Sequence, residues 1–170
     1  MDEFEDAEAV ETVANRVTPV WGQVVADMEA TAEEYREDGW TAVECHPGDV
    51  AAIADEDVGR DDARTGLDVL VPDDEFDTVA DLVDGPGEFD EVDVFRAEQN
   101  GVVFFVAALE NETAEAVVLV PAYYSVGSSE SFVEMVRREG ELRIHVRPLD
   151  RRRILTFAQT DPDLFLPESD

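Results

Sequence analysis

The chain contains no lysine. Its 12 cationic side chains are all arginine, set against 43 carboxylates, and the formal charge is −31 over 170 residues. Without an amine there is no Schiff-base nucleophile and no phosphate-loop lysine, so both chemistries are excluded. Cys45 is the only cysteine, which rules out an internal disulfide framework. One cysteine and two histidines, His46 and His145, supply no zinc-finger spacing. Long hydrophobic runs are also missing. The longest, "VVFFVAAL", has eight residues, where about 18 or more are needed to span a bilayer. The acidic start "MDEFEDAEAV" has neither the basic nor the apolar region of an export signal. These absences predict a soluble, cytoplasmic chain with no membrane segment, no metal and no cofactor. In that setting the "NET" sequon at 111–113 is incidental.

What is present is enough to fold. Leu, Ile, Val and Phe make up 47 of the 170 residues, above the roughly 20% below which a charged chain reads as disordered. Valine outnumbers leucine 25 to 10, and β-branched residues favour pleated, half-buried surfaces. The charge opposes folding through self-repulsion. Screening relieves it, since the Debye length falls from about 10 Å at 0.1 M salt to about 3 Å at 1 M. With arginine wholly replacing lysine, the composition resembles that of cytoplasmic proteins from salt-accumulating haloarchaea.

The periodicities predict one α+β domain over 1–170. An N-terminal helical segment, 1–38, packs on an antiparallel or mixed sheet of about six to seven strands within 40–160. Two further helices lie near 73–84 and 129–139, and the tail is 161–170. Trp21, Val24, Val25, Met28, Ala32 and Tyr35 recur at helical spacing, and Gly39 ends that stripe. Pro19 either divides the segment into two helices or kinks one. "WTAVECH" reads as a strand and "VAAIA" as a short helix. "LDVLVP" reads as a buried strand leading to a helix capped by Asp73 or Asp74. Asn100–Gly101 marks a hairpin, and the unbroken apolar run after it should be covered on both faces. "SSESFVEMVRREG" is a helix begun by a serine and closed by Gly140. Leu164, Phe165 and Leu166 fold the tail back.

Seven of the 12 arginines fall within 137–153, "RREGELRIHVRPLDRRR". On a strand Leu142, Ile144 and Val146 face one way and Arg143, His145 and Arg147 the other. A turn centred on Leu149–Asp150 sets Arg147 opposite Arg152 and His145 opposite Ile154. Arg152 would then join the cationic face. Like charges directly opposite destabilise a sheet pair, so anions must lie nearby. Residues 1–100 hold 31 acids and 5 arginines, net −26, whereas residues 101–170 hold 12 acids and 7 arginines, net −5. Internal docking against the acidic first half accounts for the stretch. The sharper reading is a site for an acidic protein or an anionic small molecule at Arg143, His145, Arg147 and Arg152, because guanidinium forks match carboxylate and phosphate. Nucleic acid is disfavoured by the acidic body and by the salt sensitivity of backbone binding.

Other constellations fall short. In "ECHPGD" Cys45 and His46 point to opposite faces of a strand, so one ion cannot take both along with Asp49. "DEDVGRDD" lacks the ligands of a calcium loop at its fifth and twelfth positions. "VPDDEF" lacks the lysine of restriction-type nucleases, and "SVGSSES" lacks a hydrolase elbow. His145, flanked by arginines, is a candidate acid or base. "GWTAVECHPGDV" and "LTFAQTDPDLFLP" resemble a small haloarchaeal family of uncharacterised proteins, a resemblance that implies no activity, ligand or site. The sequence therefore predicts a non-catalytic binding or protein-interaction module. The alternative is an enzyme acting on a small anionic substrate through the Arg/His face. Nothing in the sequence sets an oligomeric state.

Overall fold

The structure, a computed structural model, describes residues 2–54, 65–149 and 153–167, with side chains from residue 17 onward. Helix α1 runs from Asp2 to Glu37 straight through Pro19, so the proline does not divide it. Strands β1 (Thr41–Glu44), β2 (Asp49–Ile53) and β3 (Gly66–Leu70) precede α2 (Asp73–Val83). Next come β4 (Glu91–Gln99), β5 (Val102–Asn111), β6 (Ala116–Ser125) and α3 (Glu130–Glu139). Strands β7 (Leu142–Arg147) and β8 (Leu155–Gln159) and a single 3-10 turn, Pro162–Leu164, complete the described chain.

The strands form two mixed sheets of four rather than one sheet of six to seven. Their orders are β1-β6-β5-β4 and β2-β3-β7-β8. The segment read as a short helix, "VAAIA", is strand β2, which pairs antiparallel with β3 through Val50–Val69 and Ala52–Leu67. Five residues are too few for helical and extended periods to separate, and a partner strand decided the matter.

The apolar run of β5 lies in the middle of the molecule, and its two faces serve two cores. Val102, Phe104, Val106 and Ala108 pack with Val24, Met28 and Ala32 of α1. Val103, Phe105, Ala107 and Leu109 face Leu67, Val69, Ile144 and Val146 of the second sheet. Helices α2 and α3 add Phe76, Val79, Phe132 and Val136 to this larger core. The layers are thus α1, the first sheet, then the second sheet. Asn100 and Gly101 hold positive φ (54° and 78°) in the β4–β5 hairpin, as a turn of that length requires.

One capping expectation is corrected, and the other holds in position. The N-cap of α2 is Pro72, and neither Asp73 nor Asp74 caps it, since both already lie in the first turn. There they favour the positive end of the helix dipole. Ser129 does occupy the N-cap of α3, but its side chain makes no capping hydrogen bond. Gly140 closes that helix in the left-handed conformation. The tail folds back as expected on Phe165 and Leu166, both buried, while Leu164 stays partly exposed. Tyr124 Oη donates to the Phe165 carbonyl at 2.6 Å. Arg96 donates to the carbonyls of Asp163, at 3.0 Å, and Leu166.

Candidate functional site

Strand β7 lies between β3 and β8, and its alternation places Arg143, His145 and Arg147 on the face turned away from the core. Three of the four sequence candidates therefore share one side. Arg152 lies outside the described residues. The β7–β8 register differs from that of a tight turn at Leu149–Asp150. His145 pairs with Thr156 rather than Ile154, and Val146 with Leu155. The shift is two residues, which keeps every described side chain of the pair on its expected face.

Each of the three finds acceptors within the chain. Arg147 Nε donates to both oxygens of Asp68, at 3.0 and 2.9 Å, and Nη1 to the Pro148 carbonyl at 3.3 Å. Asp68 stands on the neighbouring strand, and the two side chains are 10% and 14% exposed. His145 is 4% exposed. Its Nε2 lies 2.9 Å from the Thr65 carbonyl and Nδ1 2.8 Å from Thr156 Oγ1. A carbonyl can only accept, so Nε2 donates to it, while the Thr156 hydroxyl can take either role toward Nδ1. Arg143 is more open, 39% exposed, and pairs with Glu141 at 3.0 Å and Glu139 at 3.6 Å.

The other described arginines of the stretch, Arg137, Arg138 and Arg153, do likewise. Arg153 reaches Asp77 of α2 at 2.9 Å and lies 5.0 Å over the Phe76 ring. Arg137 donates to the Pro167 carbonyl, at 3.3 Å, and Arg138 lies 3.8 Å from Glu139. The local positive excess thus fastens the last hairpin and tail to acids and carbonyls of the same chain. Those acids sit on a strand, two helices and the adjoining turn, rather than on acidic helices alone.

A second feature was not legible in the sequence. An open cavity of about 260 Å³ lies between α1 and the β1–β2 connection, lined chiefly by Thr18, Trp21, Gly22, Pro47, Asp49 and Tyr123. Trp21 and Tyr123 meet edge to face with centroids 5.4 Å apart. Burial raises the Tyr123 hydroxyl above its usual value, and the nearby Asp49 charge adds to the rise. Helical spacing had marked Trp21 as core, and no pattern joins it to residues 47–49 and 123.

A family model, the family of unknown function DUF7529, matches residues 7–167. The chain is a member of the DUF7529 family. No curated protein and no solved structure matches it. Among the described residues no helix is long and apolar enough to cross a membrane.

Proposed function

We propose that this DUF7529 protein is a non-catalytic binding module of a haloarchaeal, salt-filled cytoplasm. Its ligand is a small molecule with an apolar body and a cationic or hydroxyl end, held in the cavity between α1 and the β1–β2 connection. The observation that carries the reading is the wall itself, where two aromatic side chains stand beside Asp49 and Thr18. Ligand sites combine apolar lining with a few placed polar groups in this way. An anion is disfavoured there by Asp49 and by the surrounding charge of −31. The enzymatic alternative on the strand face loses support because both ring nitrogens of His145 are engaged and the ring is buried. The saline setting is supported by the absence of lysine and the acid excess.

The test is ligand screening by thermal shift in about 2 M KCl, where surface electrostatics are screened. Gly22 lines the cavity and a Cβ there would have no neighbour within 4 Å, so Gly22→Leu adds bulk at the cavity wall with no clash at its first atom. Compounds that stabilise the wild type should not stabilise this variant. Equal shifts in both proteins would sink the cavity reading.

A second reading keeps the strand face as a site for an acidic protein or anionic small molecule, with Arg143 as its exposed cation, His145 and Arg147 beside it, and Arg152 as the fourth candidate from the sequence. The exposure of Arg143 favours it. Anionic ligands should then stabilise the wild type but not Arg143→Gln. No anion response in the wild type would leave that face purely structural.

A further inference from the structure

On the side of the first sheet that carries α1, a histidine and two carboxylates from separate parts of the chain converge. One ligand atom each from Glu29, Glu44 and His46 lie within 4.8 Å of one another. Glu29 comes from α1 and Glu44 from the end of β1. His46 follows two residues later, which in extended chain returns to the same face. Cys45 between them points into the opposite core. We propose that Glu29, Glu44 and His46 form a binding site for a divalent first-row transition-metal ion of the zinc class.

Three features of the surroundings fit this use. Glu75 of α2 grips His46 twice, accepting from its backbone N–H at 2.7 Å and lying 2.8 Å from Nδ1. That engagement fixes the ring and leaves Nε2 for an ion. A carboxylate on the far nitrogen of a metal-bound histidine is the usual supporting arrangement, and it makes the ligating nitrogen more basic. Arg36 Nη1 holds one oxygen of Glu44 at 2.9 Å and Glu33 at 2.8 Å. Arg36 thereby orients Glu44, and the neighbourhood still sums to four carboxylates against one guanidinium. Finally, bonds of about 2.1 Å in tetrahedral geometry place ligands about 3.4 Å apart. The exposed Glu29 side chain has the freedom to close that gap.

The donor set selects the class of ion. Imidazole suits zinc and its first-row neighbours, whereas magnesium and calcium prefer oxygen alone. Three protein ligands leave coordination positions open to water. Pro47 and Gly48, which follow His46, already line the cavity described above. The ion site nevertheless stands on its own observations and does not depend on a ligand filling that cavity.

Calorimetric titration of the full chain with Zn²⁺, in about 1 M KCl to suppress diffuse binding to the acidic surface, tests the proposal. One ion per chain is expected. His46→Ala and Glu29→Gln, on separate elements, should each lower affinity at least tenfold, with circular dichroism unchanged. Glu75→Gln should lower it by about tenfold or more, and Glu134→Gln, at an exposed position of α3, should leave it intact. Mg²⁺ should bind more weakly than Zn²⁺. The assignment is overturned if the wild type shows no saturable one-to-one binding. It is equally overturned if His46→Ala binds as the wild type does, if Glu134→Gln weakens binding as much, or if Mg²⁺ competes on equal terms. Each of those results means diffuse attraction to surface acids only.

Discussion

At the scale of single residues, the pairing of Arg147 with Asp68 carries the most testable energetics. Both are largely withdrawn from water, and removing one partner of such a pair leaves the other charge buried and uncompensated. Breaking a buried pair typically costs about 3–5 kcal/mol. The remaining exposure of this one places Arg147→Gln toward the lower end, about 2–3 kcal/mol. Chemical denaturation at fixed salt would measure it, and a loss below about 0.5 kcal/mol would show the pair to be idle. Gly66 makes a sharper case. Its φ is +124°, and a Cβ there would meet the Arg143 carbonyl oxygen at 2.3 Å. Gly66→Ala must therefore spread β3 from β7 and should unfold more easily than Arg147→Gln. Tyrosine ionisation sets an alkaline limit. Burial raises Tyr35, with a further rise from its hydrogen bond to Glu110, and burial likewise raises Tyr124. Because the folded values lie above the unfolded one of about 10, this stability is fully present below pH 10. It is lost as pH rises past that point toward the folded values. Denaturation midpoints recorded from pH 8 to 11 should fall above pH 10, and Tyr35→Phe should flatten part of the fall.

At the scale of elements, what was legible in the sequence followed from local period. The stripe Val24, Met28, Ala32 predicts a helix with one buried face, and that face covers Val102, Phe104 and Val106. Met28 is fully buried at the centre of the contact. Met28→Ala is expected to cost about 2–5 kcal/mol, the range for emptying a core methionine, as read from the urea midpoint. A loss of less than 1 kcal/mol would mean that α1 rests on the sheet without gripping it. The unalternated run of β5 correctly implied cover on both sides. What periodicity could not supply was partnership. Nothing within 49–53 shows that this stretch pairs with 66–70, nor that the eight strands divide into two sheets. The candidate site shows the same division. Alternation placed Arg143, His145 and Arg147 together, but Asp68 reaches Arg147 only through a parallel pairing 79 residues away in sequence. Glu44 and His46 are two apart and share a strand face, a signal open to reading. Glu29 joins them only because α1 crosses β1.

At the scale of the whole molecule, the acid excess leaves a local mark that can be followed as salt changes. Glu91 is held above its ordinary value first by the charge of Glu112 and their shared hydrogen bond, with Asp90 and Glu110 adding to the effect. Like charges are thus gathered at one end of the first sheet, where folding forces them together. Such repulsion acts through water and is screened within about 10 Å at 0.1 M salt and about 3 Å at 1 M. The melting temperature should therefore climb steeply between about 0.1 and 1 M KCl and then level off. A nonionic osmolyte acts by exclusion from the surface rather than by screening, so its effect should lack that early, saturating rise. Glu112→Gln isolates the electrostatic part. Removing one charge of the group should raise the melting temperature in dilute buffer, and the gain should vanish in about 2 M KCl, where the wild type is already screened. If the gain instead persists undiminished in concentrated salt, the effect comes from local packing or hydrogen bonding. The dependence of the fold on salt would then need a cause other than repulsion among its carboxylates.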